Sequence, residues 1–105
     1  MIDIDRIRYY FQHDAVYVTN HAAERYRQRG ISTKDVRKAV EGGIIIEQYP
    51  DDYPFPSCLI LGRDENGRAI HVCMSDENTS SRIITAYIPD LDKWEGDLRT
   101  RKELK

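Results

Sequence analysis

The chain has no apolar run long enough to cross a bilayer and no charged-then-apolar leader, so a cytoplasmic protein with no membrane partner is expected. Cysteine is scarce. Only Cys58 and Cys73 are present, which excludes a disulfide-stapled secreted scaffold and predicts two reduced thiols. Two scattered cysteines make no zinc motif, and the adjacent Asp51 and Asp52 have nothing else at ligand spacing nearby. No metal and no cofactor are therefore expected. A surplus of positive charge is missing too: 16 Lys and Arg stand against 18 Asp and Glu, a formal net charge of −2. Whole-molecule attraction to nucleic acid is thereby excluded, and any RNA contact needs a local basic patch. Repeats are absent, and Gly42-Gly43 has no phosphate-loop pattern around it. What remains is 105 residues, enough for one domain with a modest core. A single α+β domain is expected over residues 1–98, followed by a basic tail over 99–105.

Periodicity then places the elements. Ile4, Ile7 and Phe11 form one stripe of a short amphipathic helix over Ile2–Gln12. Val16-Tyr17-Val18 is a brief extended piece. Thr19 or Asn20 caps a second helix, His21 to Arg29, which Gly30 ends. Ala22, Ala23 and Tyr26 make its apolar side, while His21, Arg25 and Arg29 line a stripe beside it at i, i+4 and i+8. Such a row suits a phosphate, and it equally suits a solvated helix flank. Ser32, with Asp35 three residues on, starts a third helix that buries Val36, Ala39 and Val40 and closes at Gly42-Gly43.

The second half reads as strands. Ile44–Tyr49 is expected to turn Ile44 and Ile46 inward and Ile45, Glu47 and Tyr49 outward. Asn66-Gly67 signals a tight hairpin between Ser57–Gly62 and Ala69–Met74. Its register is expected to group Leu59 and Leu61 with Ile70, Val72 and Met74 in the core, leaving Cys58, Ile60, His71 and Cys73 on the opposite face. In Arg82–Ile88, Ile84, Ala86 and Ile88 are assigned inward and Ile83, Thr85 and Tyr87 outward. If these strands are neighbours, His71, Thr85 and Tyr87 share one surface. That surface is either a catalytic face or a set of half-buried strand residues covered by a loop or the tail. Trp94 is expected to anchor a short C-terminal helix. The run from Arg99 to Lys105 carries four cations against one acid, as a frayed helix end or as an arm for a polyanion or an acidic protein.

The sequence resembles a family of small prokaryotic domains of unknown function. The resemblance rests on His21-Ala22-Ala23-Glu24-Arg25, Arg29-Gly30-Ile31-Ser32, Tyr49, His71-Val72 and Thr85-Ala86-Tyr87-Ile88-Pro89, with Trp94 following. That family looks like part of the barnase/RelE-like group of metal-independent ribonucleases, many of them toxins paired with antitoxins. The resemblance implies N-terminal helices packed on a four-stranded antiparallel sheet. It also implies RNA, including ribosome-bound mRNA, as substrate, and an antitoxin protein as partner. Under it, RNA is cleaved by attack of the 2′-hydroxyl on the adjacent phosphate. His71 takes a proton role, His21 is the second candidate, and Glu47 is a reserve base. Arg25, more weakly helped by Arg29, holds the phosphate, and Thr85 and Tyr87 orient it or stack a base. Tyr49 lies among the substrate-binding candidates. The rival is a non-catalytic module holding protein or RNA through the same surface. A weaker third reading is a metal hydrolase built on His21, His71 and a carboxylate.

Overall fold

In the computed structural model, which describes residues 1–103, three helices cover one face of a five-stranded mixed sheet. The elements are α1 (Ile4–Gln12), β1 (Val16–Tyr17), α2 (Asn20–Gln28), α3 (Thr33–Gly42), β2 (Ile44–Tyr49), β3 (Ser57–Arg63), β4 (Ala69–Ser75) and β5 (Ser81–Tyr87). The sheet order is β1-β5-β4-β3-β2. Only β1 runs parallel to its neighbour, pairing Val16 with Ser81 and Tyr17 with Arg82. The expected four-stranded antiparallel sheet is thus corrected to five strands. The brief Val16-Tyr17-Val18 segment is long enough to add two ladder positions at the edge, a contribution too short to stand out in the sequence.

The helices begin where their caps dictate. The Thr19 hydroxyl accepts from the Ala22 amide, and Ser32 and Asp35 exchange hydrogen bonds in a full capping box. After α2, Gly30 takes a φ of +75°, the left-handed conformation a glycine tolerates best. The inward faces then merge. Ile7, Tyr26, Val36, Ala39 and Val40 pack with Cys58, Ile60, Ile70, Val72 and Ala86 in one core. Full burial of each large apolar side chain contributes about 1.5–3 kcal/mol before ordering costs. α3 lies directly on β3: a methyl group added to Gly62 would meet the Ala39 carbonyl oxygen at 1.9 Å.

Three local irregularities overturn the expected strand faces. The β3–β4 connection is not a two-residue turn on Asn66-Gly67. The last pair is Arg63 with Ala69, and Asp64 organises the loop by accepting from the amides of Asn66 and Arg68. The register therefore moves by one residue. Leu61 sits opposite His71 and Leu59 opposite Cys73, while Cys58 and Ile60 go to the core. Cys58 and Cys73 consequently lie on opposite faces as free thiols. A bulge in β2 between Ile45 and Glu47 turns Ile45 inward and leaves Ile44 exposed. A second bulge, where Cys73 faces Thr85 and Met74 faces Ile83, buries Ile83 and puts Ile84 outside. Strict alternation assigns these residues wrongly because each bulge adds a residue without adding a pair.

No C-terminal helix forms among the described residues. Residues after Pro89 make turns and a single antiparallel bridge between Trp94 and Arg101. The basic run from 99 extends past the described residues at Leu104 and Lys105. No helix among the described residues is long and apolar enough to cross a membrane.

Candidate functional site

The outer face of the sheet, away from the helices, gathers the polar residues. Cross-strand pairing sets Glu47 beside Leu59, Leu59 beside Cys73, and Cys73 beside Thr85, and it sets His71 beside Leu61 and Tyr87. Glu47, Tyr49, His71, Thr85 and Tyr87 thus share this face. Its centre is closed to solvent: His71 is fully buried, although it lies outside the main core.

The C-terminal segment closes it. Trp94, itself 2% exposed, stands edge-on to the His71 ring with centroids 4.5 Å apart. His71 Nε2 lies 2.6 Å from the Leu98 carbonyl oxygen. A carbonyl only accepts, so Nε2 carries the hydrogen, and in the neutral ring Nδ1 accepts from the Tyr87 hydroxyl at 3.1 Å. Both ring nitrogens are satisfied. Burial pulls the His71 pKa below its usual value, against the opposing pull of the Leu98 carbonyl and the Glu47 charge. In this arrangement the imidazole is neutral and structurally engaged.

Beside it lies a second polar knot. Arg101 grips Glu47 with both fork nitrogens, at 2.8 and 2.9 Å, and its guanidinium lies 4.6 Å from the centre of the Trp94 ring. The Tyr49 hydroxyl also donates to Glu47. The Arg101 bonds hold the Glu47 carboxyl below the usual range, while burial and the Glu47 charge push the Tyr49 phenol up to about 12. Burial likewise raises the Tyr87 phenol. A neutral imidazole bonded to one phenol therefore lies beside an ionised carboxylate bonded to a second phenol and a guanidinium, with the Trp94 ring touching both groups. That set can move protons and hold an anion. Among the described residues, no three His, Cys, Asp or Glu side chains are arranged to bind a metal.

His21 and Arg25 are elsewhere. α2 packs Ala23 and Tyr26 against the core face, so its charged stripe borders the helix layer. His21, Glu24, Arg25, Gln28 and Arg29 line an open groove of about 460 Å³ there. Arg29 is the one link: its Nη1 donates to the Ala86 carbonyl at 2.8 Å and comes within 3.4 Å of the Thr85 hydroxyl. It reaches the sheet at the outer edge of β5, and His21 makes no hydrogen bond to any residue of the His71 face. Trp94, Leu98 and Arg101 are the participants that sequence patterns missed. Their only signal was a lone tryptophan followed seven residues later by an arginine in a basic run.

Three helices backing a mixed sheet, with polar chemistry on the sheet's free face, define a small α+β domain. The chain belongs to the family described as Domain of unknown function (DUF4258), whose profile matches residues 18–88. No curated protein and no solved structure shows a significant match to it.

Proposed function

We propose that the protein is a metal-independent endoribonuclease of the barnase/RelE-like kind, acting on cytoplasmic RNA from the His71 face and restrained by a protein partner in the manner of a toxin. The observation that supports this reading is the gathering of an imidazole, a carboxylate and two phenols on a single sheet face, with the Arg101 guanidinium bonded to the carboxylate. In the reaction the 2′-oxygen forms a bond to phosphorus as the bond from phosphorus to the 5′-oxygen breaks. The 2′-hydroxyl proton goes to a base, and an acid returns one to the leaving oxygen, giving a cyclic phosphate and a free 5′-hydroxyl. Glu47 replaces His21 as the partner of His71, because it lies on the same face. Its ionised carboxyl takes the 2′-hydroxyl proton, and His71, protonated from solvent once its ring is uncovered, gives one to the leaving oxygen. Arg29, whose guanidinium reaches the Thr85 hydroxyl, is the cation for the phosphorane charge, while Arg25 and Arg101 hold the flanking strand. Thr85, Tyr87 and Tyr49 orient the strand.

The test is cleavage of a mixed-sequence RNA by purified protein in chelator, beside His71→Gln, which keeps a hydrogen-bonding side chain without imidazole proton transfer. A loss of at least about 100-fold in the variant supports the ribonuclease. Equal cleavage by both proteins points to a contaminant and counts against it. The second reading, a non-catalytic binding module, is favoured by one observation: His71 is buried with both nitrogens engaged. Absence of cleavage on naked RNA and on translating ribosomes would establish that reading instead.

A further inference from the structure

The segment from Pro89 to Lys102 has the construction of a separate part. Among the described residues, its backbone-to-backbone hydrogen bonds all close within itself: Lys93 and Trp94 to Asp90, Glu95 to Thr100, Leu98 to Glu95 and Lys102 to Lys93. The Asp97 carboxylate stiffens its tip by accepting from the amides of Arg99 and Thr100 and from the Thr100 hydroxyl. No ladder joins it to the sheet. It is held instead by the indole of Trp94 on His71, the Leu98 carbonyl on Nε2, and the Arg101 fork on Glu47. Leu98 sits at a φ of +60°, unusual for a residue with a side chain, and from there its carbonyl bonds His71. The family match ends at Ile88, immediately before this segment begins.

We infer that Pro89–Lys102 is a hinged cover, a preformed hairpin that swings off the His71 face as a unit, and that an RNA strand displaces it by drawing Arg101 from Glu47 to a phosphate. The cover itself follows from the contacts above, and only the naming of RNA rests on the ribonuclease reading. All three attachments converge on two residues, Glu47 and His71, so loosening one weakens the others. A phosphate presents Arg101 with the same bidentate geometry as a carboxylate, which makes the exchange chemically even. Release frees both Glu47 and the His71 ring in one movement.

Trp94 is the only tryptophan in the chain, so its fluorescence reports the cover alone. Acrylamide quenching of Trp94 is measured in the full chain, in Arg101→Ala, and in the full chain with a 2′-O-methyl RNA that cannot be cleaved. Hydrogen exchange of the wild type runs alongside. The expected result is a severalfold rise in quenching in Arg101→Ala with the thermal transition kept, and amides from Trp94 to Lys102 exchanging together well before those of β3 and β4. The uncleavable RNA is expected to raise quenching in the wild type to a similar level. If the segment exchanges only with global unfolding and quenching stays low in the variant, the cover is overturned, whether or not RNA is cleaved. If the variant opens but RNA changes nothing, RNA is overturned as the displacer while the hinged cover stands, and the ribonuclease reading is decided separately by the cleavage assay.

Discussion

The two candidate regions differ in what holds them. On the sheet face every polar group around His71 has a partner, and the imidazole is sealed beneath Trp94 and Leu98. On the α2 flank, His21 and Arg25 border an open groove and have no hydrogen-bonded side-chain or ion-pair partner among the described residues. The first region contributes to stability and can act on a ligand only after rearrangement. The second contributes little to stability and can meet a polyanion as it stands. Burial and function thus pull the two histidines in opposite directions.

The sharpest way to break that contrast is alanine at each histidine. His71→Ala removes a buried ring and strands the Leu98 carbonyl and Tyr87 hydroxyl, so a loss of about 3–5 kcal/mol in urea unfolding is expected. His21→Ala should lie within about 0.5 kcal/mol of wild type. Equal effects would mean that the sheet face is not sealed. Next is Tyr87→Phe, which deletes only the donor to Nδ1 and should cost about 1 kcal/mol.

Titration sharpens the same difference. Burial lowers the His71 pKa in the folded state from its ordinary value of 6.5, so between 6.5 and that lower value the unfolded chain binds more protons. The stabilising contribution is complete above pH 6.5 and drains away as pH falls through this window. Thermal midpoints measured from pH 7.5 down to 5.5 should decline, and His71→Gln should flatten the decline. A wild-type midpoint that rises on acidification would show that the ring is protonated in the fold. Glu47 acts lower down: its depressed carboxyl loses stabilisation only as the medium becomes more acidic still.

The smallest stability effects belong to α2. Arg29→Ala gives up the bond to the Ala86 carbonyl at a partly solvated site, so a cost of no more than about 1 kcal/mol is expected. Arg25→Ala should leave unfolding unchanged and, if the groove carries a phosphate, reduce the salt slope of RNA binding by about 1. An unchanged slope would leave Arg25 as an ordinary solvated residue.

The boundaries of α2 and α3 were legible in the sequence because their signals are local: Thr19, Ser32 with Asp35, and Gly30 each act within one turn. By contrast, α1 starts at Ile4 rather than Ile2, and the helix expected at Trp94 is replaced by turns. Strand faces were less so. Asn66-Gly67 suggested a two-residue turn, but the Asp64 carboxylate recruits the neighbouring amides into a longer loop, and the one-residue slip exchanges Leu59 and Leu61 for Cys58 and Ile60. The bulges at Ile45/Glu47 and opposite Cys73 reversed parity again, for Ile44 and Ile84. The grouping of His71 with Tyr87 was visible because no bulge falls between their pair and that of Cys73 with Thr85. A covering loop or tail was one of the two readings of this face, but the residues that form it were not legible, since no periodicity ties Trp94, Leu98 and Arg101 to a face that lies far back in the chain.

Arg29 has a further consequence. β1 pairs with β5 only as far as Arg82, so among the described residues the rest of that strand's outer margin is left without a neighbouring strand. Bare margins of this kind invite another chain to zip on, in productive complexes and in aggregates alike. The guanidinium across the Ala86 carbonyl occupies one of the acceptors such a zipper would use. Any protein that docks there by strand addition must first unlatch Arg29, so one side chain acts as gatekeeper between solubility and association.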